Sequence, residues 1–214
     1  YNLYWKHKSF LPKKQYSCFG EDLFVKDFFQ NDNEGYYVDV GSYHPFFWNN
    51  TYLLYKKNWN GINIDANPLS TELFNIARKD DYNFNLAVTN KKKNKIKLFY
   101  RRNMNVLNTT DESFAKRNFP NGYESREIEC LSLNNILEKT KFKNKIIDFL
   151  NVDVENTEKD VLESLNFDIY KPRLICVEIH SENEESFKNN PTFKFLDNKG
   201  YKIVWKKEYS YIFS

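Results

Sequence analysis

The chain has 214 residues, of which 32 are basic and 29 acidic, giving a net charge of +3. This surplus is too small to indicate a nucleic-acid-binding protein, because such proteins concentrate basic side chains on one face. Hydrophobic residues make up 41% of the sequence, which suffices for one packed domain. We therefore predict a single domain over residues 1–214, with a lead-in at 1–19, a core at 20–214 and an insertion at about 95–131.

The cysteines and the apolar runs indicate the compartment. Cys18, Cys130 and Cys176 are odd in number and lack C-x-x-C spacing, which argues against a disulfide framework and a cysteine zinc site. Every apolar run falls short of the ~20 residues that span a bilayer, and no signal-peptide pattern begins the sequence. We therefore expect a cytoplasmic protein without a membrane span. Because the sequence starts at Tyr1, we also expect that it has been trimmed at its front.

The predicted elements alternate between helix and strand along the chain. The first helix is predicted over residues 20–30, where Ser17 precedes an apolar stripe. Capping residues or Pro68 before apolar residues predict further helices at 50–57, from 68 and from 132. Two more helices are predicted, one around the apolar residues of 161–165 and one at 192–198 that Gly200 ends. Runs of β-forming residues predict strands within 35–41 and 61–65, at 82–88, 146–153 and 174–179, and in a hairpin of 201–205 and 209–213. This order predicts a three-layer α/β sandwich with a mostly parallel sheet and a C-terminal antiparallel hairpin.

An insertion interrupts this alternation. Residues 96–100 and 126–131 are predicted to form two strands of an inserted β-ribbon. Between them, residues 101–125 are polar and have no convincing period. A long segment of this kind in a compact domain is typically a functional lid or disordered. We therefore expect it either to cover the site or to lack order.

The first two strands both end in a carboxylate. The run Tyr37-Val38-Asp39-Val40-Gly41 is followed by a strand ending at Asp65, 24 positions after Gly41. That spacing leaves room for one crossover helix and puts Asp65 where an acid can bind a ribose hydroxyl. The sequence lacks G-x-G-x-x-G and Gly-Lys-Ser/Thr, which disfavours a dinucleotide and a P-loop nucleotide. We therefore predict S-adenosylmethionine as the ligand, because it needs only one glycine for close approach and an acid for its ribose.

Six motifs occur in register with those of a known family. They are Ser17-x-x-Gly20-Glu21-Asp22, Tyr37-Val38-Asp39-Val40-Gly41, Asn50-Thr51, Asn63-Ile64-Asp65-Ala66-Asn67-Pro68, Asn85-x-Ala87-Val88 and Asp148-Phe149-Leu150-x-Val152-Asp153-Val154-Glu155. Over roughly residues 15–180, the chain resembles the FkbM-type S-adenosylmethionine-dependent methyltransferases. It departs from them at Asn156, where the family usually has the glycine of its Asp-x-Glu-Gly motif, and at Cys18, where it often has glutamine.

The resemblance implies a fold, a reaction and a cofactor site. The fold is the class I methyltransferase fold, with a Rossmann-like seven-stranded sheet in the order 3-2-1-4-5-7-6. The reaction is O-methylation of a sugar, glycan or secondary metabolite, and bacterial surface polysaccharide biosynthesis is the favoured pathway. The cofactor-binding residues are predicted to be Glu21, Asp39, Gly41, Ser42, Tyr43, Asn50, Thr51, Asp65, Ala66, Asn67, Asn85, Leu86, Ala87 and Asp153.

Acids and a histidine at the strand ends are candidates for catalysis. A hydroxyl acceptor held ~3 to 3.5 Å from the methyl group also needs a base that takes its proton. We predict Asp153, Glu155 and His180 as catalytic residues. Each has an alternative role: Asp153 can bind the cofactor or shape the turn, Glu155 can cap the following helix, and His180 can be a hydrogen-bonded histidine at a strand end. We predict no metal, because no tight ligand motif occurs. A divalent metal on Asp153, Glu155 and Glu178 or His180 is the less favoured alternative.

Arginines around the inserted segment suggest how the acceptor binds. Guanidinium groups bind phosphate through paired hydrogen bonds. Arg101 and Arg102 are therefore predicted to hold a phosphate of a nucleotide-sugar or lipid-linked acceptor, with Arg117 and Arg126 nearby. Two alternatives stay open: an RNA methyltransferase, which the small net charge disfavours, and a non-catalytic S-adenosylmethionine-binding module, which Asn156 favours. The acceptor and the oligomeric state stay undetermined.

Overall fold

The computed structural model describes residues 14–102 and 104–214. Most of the predicted lead-in, residues 1–13, thus lies outside the described residues. The strands are β1 (Tyr36–Val40), β2 (Asn60–Asp65), β3 (Tyr82–Asn85), β4 (Ala87–Val88), β5 (Lys95–Tyr100), β6 (Glu124–Leu131), β7 (Phe149–Val152), β8 (Leu174–Glu178), β9 (Ile203–Lys207) and β10 (Ser210–Phe213). The helices are α1 (Glu21–Phe28), α2 (Tyr52–Lys56), α3 (Pro68–Ala77), α4 (Glu112–Asn118), α5 (Leu133–Leu137), α6 (Glu158–Glu163), α7 (Phe167–Tyr170), α8 (Glu184–Asn189) and α9 (Pro191–Asn198).

Seven of these strands form one central sheet, in the order β3-β2-β1-β7-β8-β10-β9. Neighbouring strands are parallel from β3 to β8, and β10 is antiparallel to both β8 and β9. Numbered along the chain within this sheet alone, the order is 3-2-1-4-5-7-6. The predicted class I fold, its strand order and its C-terminal hairpin are therefore confirmed.

Helices cover both faces of the sheet, so the middle strands are buried along their whole length. Every residue of β1 and of β7 is buried, which is typical of parallel strands between two helical layers. Side chains of β1 alternate between two cores. Val38 belongs to the core that contains Leu137 and Leu162, and Tyr37 to the core that contains Val25. The carboxyl ends of the parallel strands are the edge at which a ligand can enter.

The predicted third strand, residues 82–88, is divided between two sheets. β3 ends at Asn85, and the Leu86 N–H donates a 3.1 Å hydrogen bond to the Asp65 carbonyl. β4 then leaves the central sheet to pair with β6, which also pairs with β5 in the predicted ribbon. The prediction of one continuous strand was wrong because β-forming side chains do not indicate which sheet a residue joins.

Residues 101–125 contain a helix that the sequence analysis did not predict. In α4, the Asp111 side chain accepts a 2.8 Å hydrogen bond from the Ser113 N–H at the start of the helix. Its seven residues make about two turns, too few to show a clear apolar period. No helix within the described ranges is long and apolar enough to cross a membrane.

Candidate active site

Two adjoining cavities lie at the carboxyl ends of the parallel strands. The larger has a volume of about 510 Å³ and lies beyond β1, β7 and β8. The smaller has a volume of about 70 Å³ and lies between the ends of β1 and β2 and the inserted sheet. Gly41, Tyr43, Val106 and Asp153 line both, so the two cavities meet at these residues.

The inserted segment forms part of the wall of both cavities. Val106 and Phe114 line the larger cavity, while Leu98 and Thr109 line the smaller one. The Thr109 hydroxyl attaches this wall to the sheet by donating a 2.7 Å hydrogen bond to the Glu155 carbonyl. The described residues of the segment thus form a cavity wall, and its role as a lid stays a prediction.

Gly41 allows the ends of β1 and β7 to approach each other closely. Its φ of 82° lies in the left-handed region that favours glycine. A Cβ atom at this position would lie 1.7 Å from the Asp153 carbonyl oxygen. The backbone of the protein itself therefore requires glycine here, whatever ligand is bound.

The Asp39 carboxylate is buried and hydrogen-bonded on both oxygens. Asn151 donates to one oxygen over 2.9 Å, and Asn49 and Thr51 donate to the other over 3.2 and 3.0 Å. Burial raises the pKa of Asp39 above its ordinary value, while these donors and the charge of Arg78 act to lower it. Thr51 precedes α2, but its side chain forms no cap hydrogen bond with that helix and is directed to Asp39. Asp39 borders the larger cavity with a carboxylate already committed to its neighbours.

A buried arginine joins this network. Arg78 donates to the Thr51 hydroxyl over 2.7 Å and to the Asn49 side-chain oxygen over 2.6 Å. Two of its nitrogens also donate to the Pro45 carbonyl. The guanidinium group therefore attaches the loop after β1 to the end of α3.

Asp65 ends β2 and lines the smaller cavity. Its two oxygens accept hydrogen bonds from the backbone N–H groups of Tyr43, over 2.8 Å, and Asn67, over 2.7 Å. Burial raises the pKa of Asp65 to about 6, although these N–H groups act to lower it. An ionised carboxylate offers about four lone-pair sites, so Asp65 can accept a further hydrogen bond from a ligand hydroxyl.

Most of the other predicted cofactor residues line one of the cavities. Ser42, Tyr43 and Asn50 line the larger cavity, and Tyr43, Ala66, Asn67, Leu86 and Ala87 line the smaller one. Thr51 and Asn85 line neither. The exposed Asn85 side chain donates a 3.0 Å hydrogen bond to the Asp65 carbonyl, so Asn85 shapes the turn after β2 and β3 instead of facing a cavity.

Glu21 borders the larger cavity from the start of α1. Its carboxylate accepts hydrogen bonds from the Ser210 hydroxyl over 2.6 Å and from the Phe19 N–H over 2.8 Å. The adjacent Asp22 instead accepts from the Ser17 hydroxyl over 2.6 Å, and burial raises its pKa. Only the first acid of this pair therefore faces the cavity.

Acids and a histidine from β7 and β8 converge in the larger cavity. Asp153 and Glu155 follow β7, while Glu178 ends β8 and His180 follows it. One ligating atom of each of Glu155, Glu178 and His180 lies within 4.8 Å of those of the other two. His180 Nε2 lies 3.2 Å from Glu178 Oε2, and the Tyr209 ring packs against His180 with 4.6 Å between centroids. The three residues predicted to be catalytic thus line one cavity.

Glu155 differs from its neighbours in having an orphaned oxygen. It is only 8% exposed, and its Oε2 atom has no hydrogen-bond partner among the described residues. Its φ of 58° also lies in the left-handed region, which is unfavourable for a glutamate. Buried carboxylate oxygens normally have a donor, so the fold holds Glu155 ready for a partner within the cavity.

Burial and the neighbouring negative charges raise the pKa values of several acids in and beside this cavity. Asp153 opens into the cavity, yet the surrounding protein and the charges of Glu178 and Glu155 raise its pKa well above the ordinary value. Burial, followed by the charge of Glu178, raises the pKa of Glu155 to about 8, and burial raises that of Glu158 to about 7. The hydrogen bond with Glu178 raises the pKa of His180. The cavity therefore retains protons near neutral pH unless a cation or donor stabilises the carboxylates.

The match to a family model decides what kind of protein carries this cleft. Residues 39–203 match the model described as the methyltransferase FkbM domain. The chain belongs to the FkbM methyltransferase family. The match extends from β1 to the first residue of β9 and includes the strand ends that line both cavities. A comparison with curated proteins gave no match.

The FkbM domain of this chain keeps its turn after β7 despite the departure at Asn156. The φ of Asn156 is 82°, a conformation that asparagine adopts more readily than most residues other than glycine. Its N–H donates to Glu158 over 3.1 Å, and its side chain donates to the Asp111 carboxylate of the inserted segment. Asparagine therefore replaces glycine without loss of the turn and adds a bond to the cavity wall. Cys18, the other departure, lines the larger cavity, and burial raises the pKa of its thiol.

Arg101 and Arg102 lie outside both cavities of the FkbM domain. They line an open depression of about 520 Å³ together with Phe47 and Trp48. Arg117, by contrast, lines the larger cavity, and Trp48 lines both the cavity and the depression. An acceptor that reaches from the larger cavity to Arg101 and Arg102 would therefore extend into this depression.

Several residues that border or support these cavities were not predicted from the sequence. Asn49, Asn151 and Arg78 form the network around Asp39, and Ser210 binds Glu21. The role of Asn151 could have been suspected from the sequence, because an asparagine within a buried strand needs a hydrogen-bond partner. The role of Arg78 could not be predicted, because an arginine after the last turn of a helix is usually exposed to solvent.

Proposed function

We propose that this FkbM-family protein is an S-adenosylmethionine-dependent O-methyltransferase. The observation that carries the proposal is that Gly41 and Asp153 line both cavities. A donor whose nucleoside part binds at the smaller cavity and whose sulfonium reaches into the larger one would therefore meet the acceptor beside the Asp153 carboxylate. When bound, S-adenosylmethionine supplies a methyl group on a positively charged sulfur. The protein contributes by holding the acceptor oxygen in line with that group at ~3 to 3.5 Å.

The backbone after β1 suits a donor without phosphate groups. The N–H groups of Gly41 and Ser42 donate to the Ile64 carbonyl over 2.9 and 3.2 Å, and that of Tyr43 donates to Asp65 over 2.8 Å. A pyrophosphate needs such N–H groups to be free. Because the protein itself uses them, the loop favours a nucleoside such as S-adenosylmethionine over a dinucleotide.

The smaller cavity offers what the nucleoside part needs. Asp65 has lone pairs left for the ribose hydroxyls after its two backbone bonds. Leu86, Ala87 and Leu98 line the same cavity and provide apolar contact for adenine. Apolar walls with a few well-placed polar groups are typical of small-molecule sites.

The larger cavity suits a hydroxyl acceptor. Asp153 borders the donor cavity and can take the hydroxyl proton, while Glu155 and His180 contact the acceptor. General-base assistance of this kind contributes about 10²- to 10⁴-fold to rates. At the rim, the rings of Phe47 and Trp48 stack with 4.8 Å between centroids, and Trp48 is 45% exposed, so it offers an aromatic face to a sugar. We propose a sugar, glycan or secondary metabolite as acceptor, in bacterial surface polysaccharide biosynthesis.

The charge of the cleft disfavours RNA as the acceptor. Glu21, Asp153, Glu155 and Glu178 line the larger cavity, where Arg117 is the only lysine or arginine among the described lining residues. Nucleic-acid binding depends on basic groups that neutralise phosphates. Carboxylates at the reacting end of the cleft instead favour an uncharged, hydroxyl-rich group there.

The cysteines support a cytoplasmic location. Cys18, Cys130 and Cys176 are all free thiols. Free thiols are typical of a reducing compartment. We therefore propose that methyl transfer takes place in the cytoplasm.

Calorimetric titration with S-adenosylhomocysteine and, separately, with NAD tests the donor. Wild-type protein is expected to bind only the first, and Asp65→Ala to bind it at least about tenfold more weakly, because the ribose loses a charged acceptor. Asp80→Ala is the matched control, since Asp80 is exposed. Failure of the wild type to bind S-adenosylhomocysteine would refute the proposal. Binding without methyl transfer to any sugar acceptor would favour the non-catalytic module.

We also propose that Arg101 and Arg102 bind a phosphate of a nucleotide-sugar or lipid-linked acceptor. Replacing both by alanine is expected to raise the KM of such an acceptor and to leave the KM of S-adenosylmethionine unchanged. Replacing the exposed Lys92 and Lys93 by alanine removes the same charge elsewhere and is the control. An equal rise in both KM values would contradict this role.

A further inference from the structure

We propose that Glu155, Glu178 and His180 form a binding site for one divalent metal ion in the larger cavity. Each residue offers one ligating atom, and these atoms all lie within 4.8 Å of one another. With ~2.1 Å bonds, ligands at neighbouring positions of an ion lie ~3.0 Å apart and ligands at opposite positions ~4.2 Å apart. A pair of these atoms at the 4.8 Å limit therefore needs to close by roughly 1 to 2 Å to share an ion, which changes of side-chain rotamer can supply.

The orphaned oxygen of Glu155 is an independent indication of a missing ligand. Glu155 is more than nine-tenths buried, lines the larger cavity, and has an Oε2 atom without a partner in the described part of the chain. Leaving a buried polar group unsatisfied is costly, and more so for a charged group. A cation between the three side chains supplies the partner that the protein does not.

The protein provides no competing positive charge at this point. Within residues 14–102 and 104–214, no lysine or arginine forms an ion pair with Asp153, Glu155 or Glu178. The 3.2 Å contact between His180 Nε2 and Glu178 Oε2 is a hydrogen bond when Nε2 is protonated, and the same two atoms are ligands when it is not. A pairing of His180 with Glu178 alone also leaves Glu155 Oε2 without a partner among the described residues.

The donor set indicates the class of metal. Two carboxylates and one imidazole combine the oxygen ligands preferred by Mn²⁺ with the nitrogen ligand preferred by Fe²⁺ and Zn²⁺. Magnesium and calcium bind almost exclusively to oxygen. Three protein ligands also leave coordination positions open, as in catalytic metal sites. We therefore expect a first-row divalent ion with open positions toward the acceptor.

The chemical role of the ion rests on the proposed methyltransferase function. An acceptor hydroxyl bound to the ion becomes more acidic, and the Asp153 carboxylate, which borders both cavities, accepts its proton. The oxygen–carbon bond forms as the carbon–sulfur bond breaks, and the sulfur keeps that electron pair. The products are a methyl ether and a neutral thioether. A vicinal diol, whose two oxygens can occupy two open positions, is the acceptor class that suits this site.

Titration of the purified protein with Mn²⁺, followed by the electron paramagnetic resonance signal of the free ion, tests the site without cofactor or acceptor. Wild-type protein is expected to bind one ion with a Kd below about 100 μM. Glu155→Gln is expected to weaken binding at least tenfold. His180→Ala provides a second test if that variant misfolds, because the His180 side chain is half exposed. Glu182→Gln removes a charge from an exposed position nearby and is expected to change the Kd less than twofold.

A wild-type Kd above about 1 mM, or an equal loss of Mn²⁺ affinity in Glu182→Gln and Glu155→Gln, would overturn the metal site. This result can be separated from a failure of the proposed function. Retained binding of S-adenosylhomocysteine by a protein that does not bind Mn²⁺ would refute the metal site alone. Mn²⁺ binding by a protein that does not bind S-adenosylhomocysteine would refute the donor alone.

Discussion

Asp39 and Glu155 are both buried carboxylates at the edge of one cleft, but their surroundings differ. Asp39 accepts hydrogen bonds from three side chains, and the buried Arg78 supports two of these. Glu155 keeps an oxygen without a partner in the described chain, and other carboxylates lie around it. The fold thus satisfies one acid completely and leaves the other unsatisfied.

This difference separates a structural role from a functional one. A buried charge that is fully paired stabilises a particular arrangement of the chain, here the loop after β1. A buried carboxyl that is left unpaired must hold a proton or lower the stability of the fold, and it is retained where a ligand completes it. Within one cavity wall, hydrogen-bond satisfaction therefore distinguishes Asp39 from Glu155 better than burial does.

The largest expected effect is on the satisfied region. Arg78→Met is predicted to lower the free energy of unfolding by about 3–5 kcal/mol, because it leaves buried acceptors and the Asp39 charge without their cation. Urea unfolding followed by circular dichroism measures this change. Lys79→Met removes the same charge from an exposed neighbour and is expected to change stability by less than about 0.5 kcal/mol. Equal effects of the two substitutions would contradict the role of Arg78.

A second prediction concerns Gly41, which lies between the two regions. Gly41→Ala is predicted to lower the free energy of unfolding by about 3 kcal/mol or more, because the new Cβ meets the Asp153 carbonyl. Gly122 also has a positive φ, of 96°, but a Cβ there meets nothing within 4 Å. Gly122→Ala is therefore expected to lower the free energy of unfolding by only about 1 kcal/mol, because alanine is strained at a positive φ. Similar losses in a side-by-side urea titration would show that the approach of β1 to β7 is not tight.

A smaller effect is expected from the pH dependence of donor binding. The ionised form of Asp65 is the better acceptor for ribose, and its pKa is raised to about 6. Affinity for S-adenosylhomocysteine is therefore predicted to be constant above pH 7 and to fall about tenfold per pH unit below pH 6. In Asp65→Asn the affinity should be weaker and independent of this titration. A wild-type profile that coincides with that of Asp65→Asn would assign the titration to another group.

The sequence allowed the strand ends of this cleft to be predicted, but not which of their acids are satisfied. Asp39, Asp65 and Asp153 each follow a run of β-forming residues, and parallel strands bring such ends to one edge. The hydrogen-bond partners of Asp39 come from a loop and another strand, and Arg78, which supports two of them, comes from the far end of α3. Contacts between distant segments leave no local pattern, so neither Arg78 nor the orphaned oxygen of Glu155 was predictable.

The same limit applies to the insertion. The β-forming residues of its two ribbon strands allowed both strands to be predicted, and they occur in the structure as β5 and β6. The exchange of β4 into that sheet and the short helix α4 depend on tertiary contacts. These contacts decide which residues of the insertion line the cavities, and local propensity does not encode them.

The most direct test compares two isosteric substitutions, Asp39→Asn and Glu155→Gln, by urea unfolding at pH 7.5 in the presence of a chelator. Asp39→Asn is predicted to lower the free energy of unfolding by about 2 kcal/mol. An amide nitrogen then replaces one carboxylate oxygen and faces the donors that were hydrogen-bonded to that oxygen. Glu155→Gln is predicted to have a free energy of unfolding at least as high as that of the wild type, because the amide is neutral beside Glu178 without having to hold a proton, whereas the wild-type carboxyl must keep one. Equal losses in both variants would contradict the division of this cleft into a structural and a functional carboxylate.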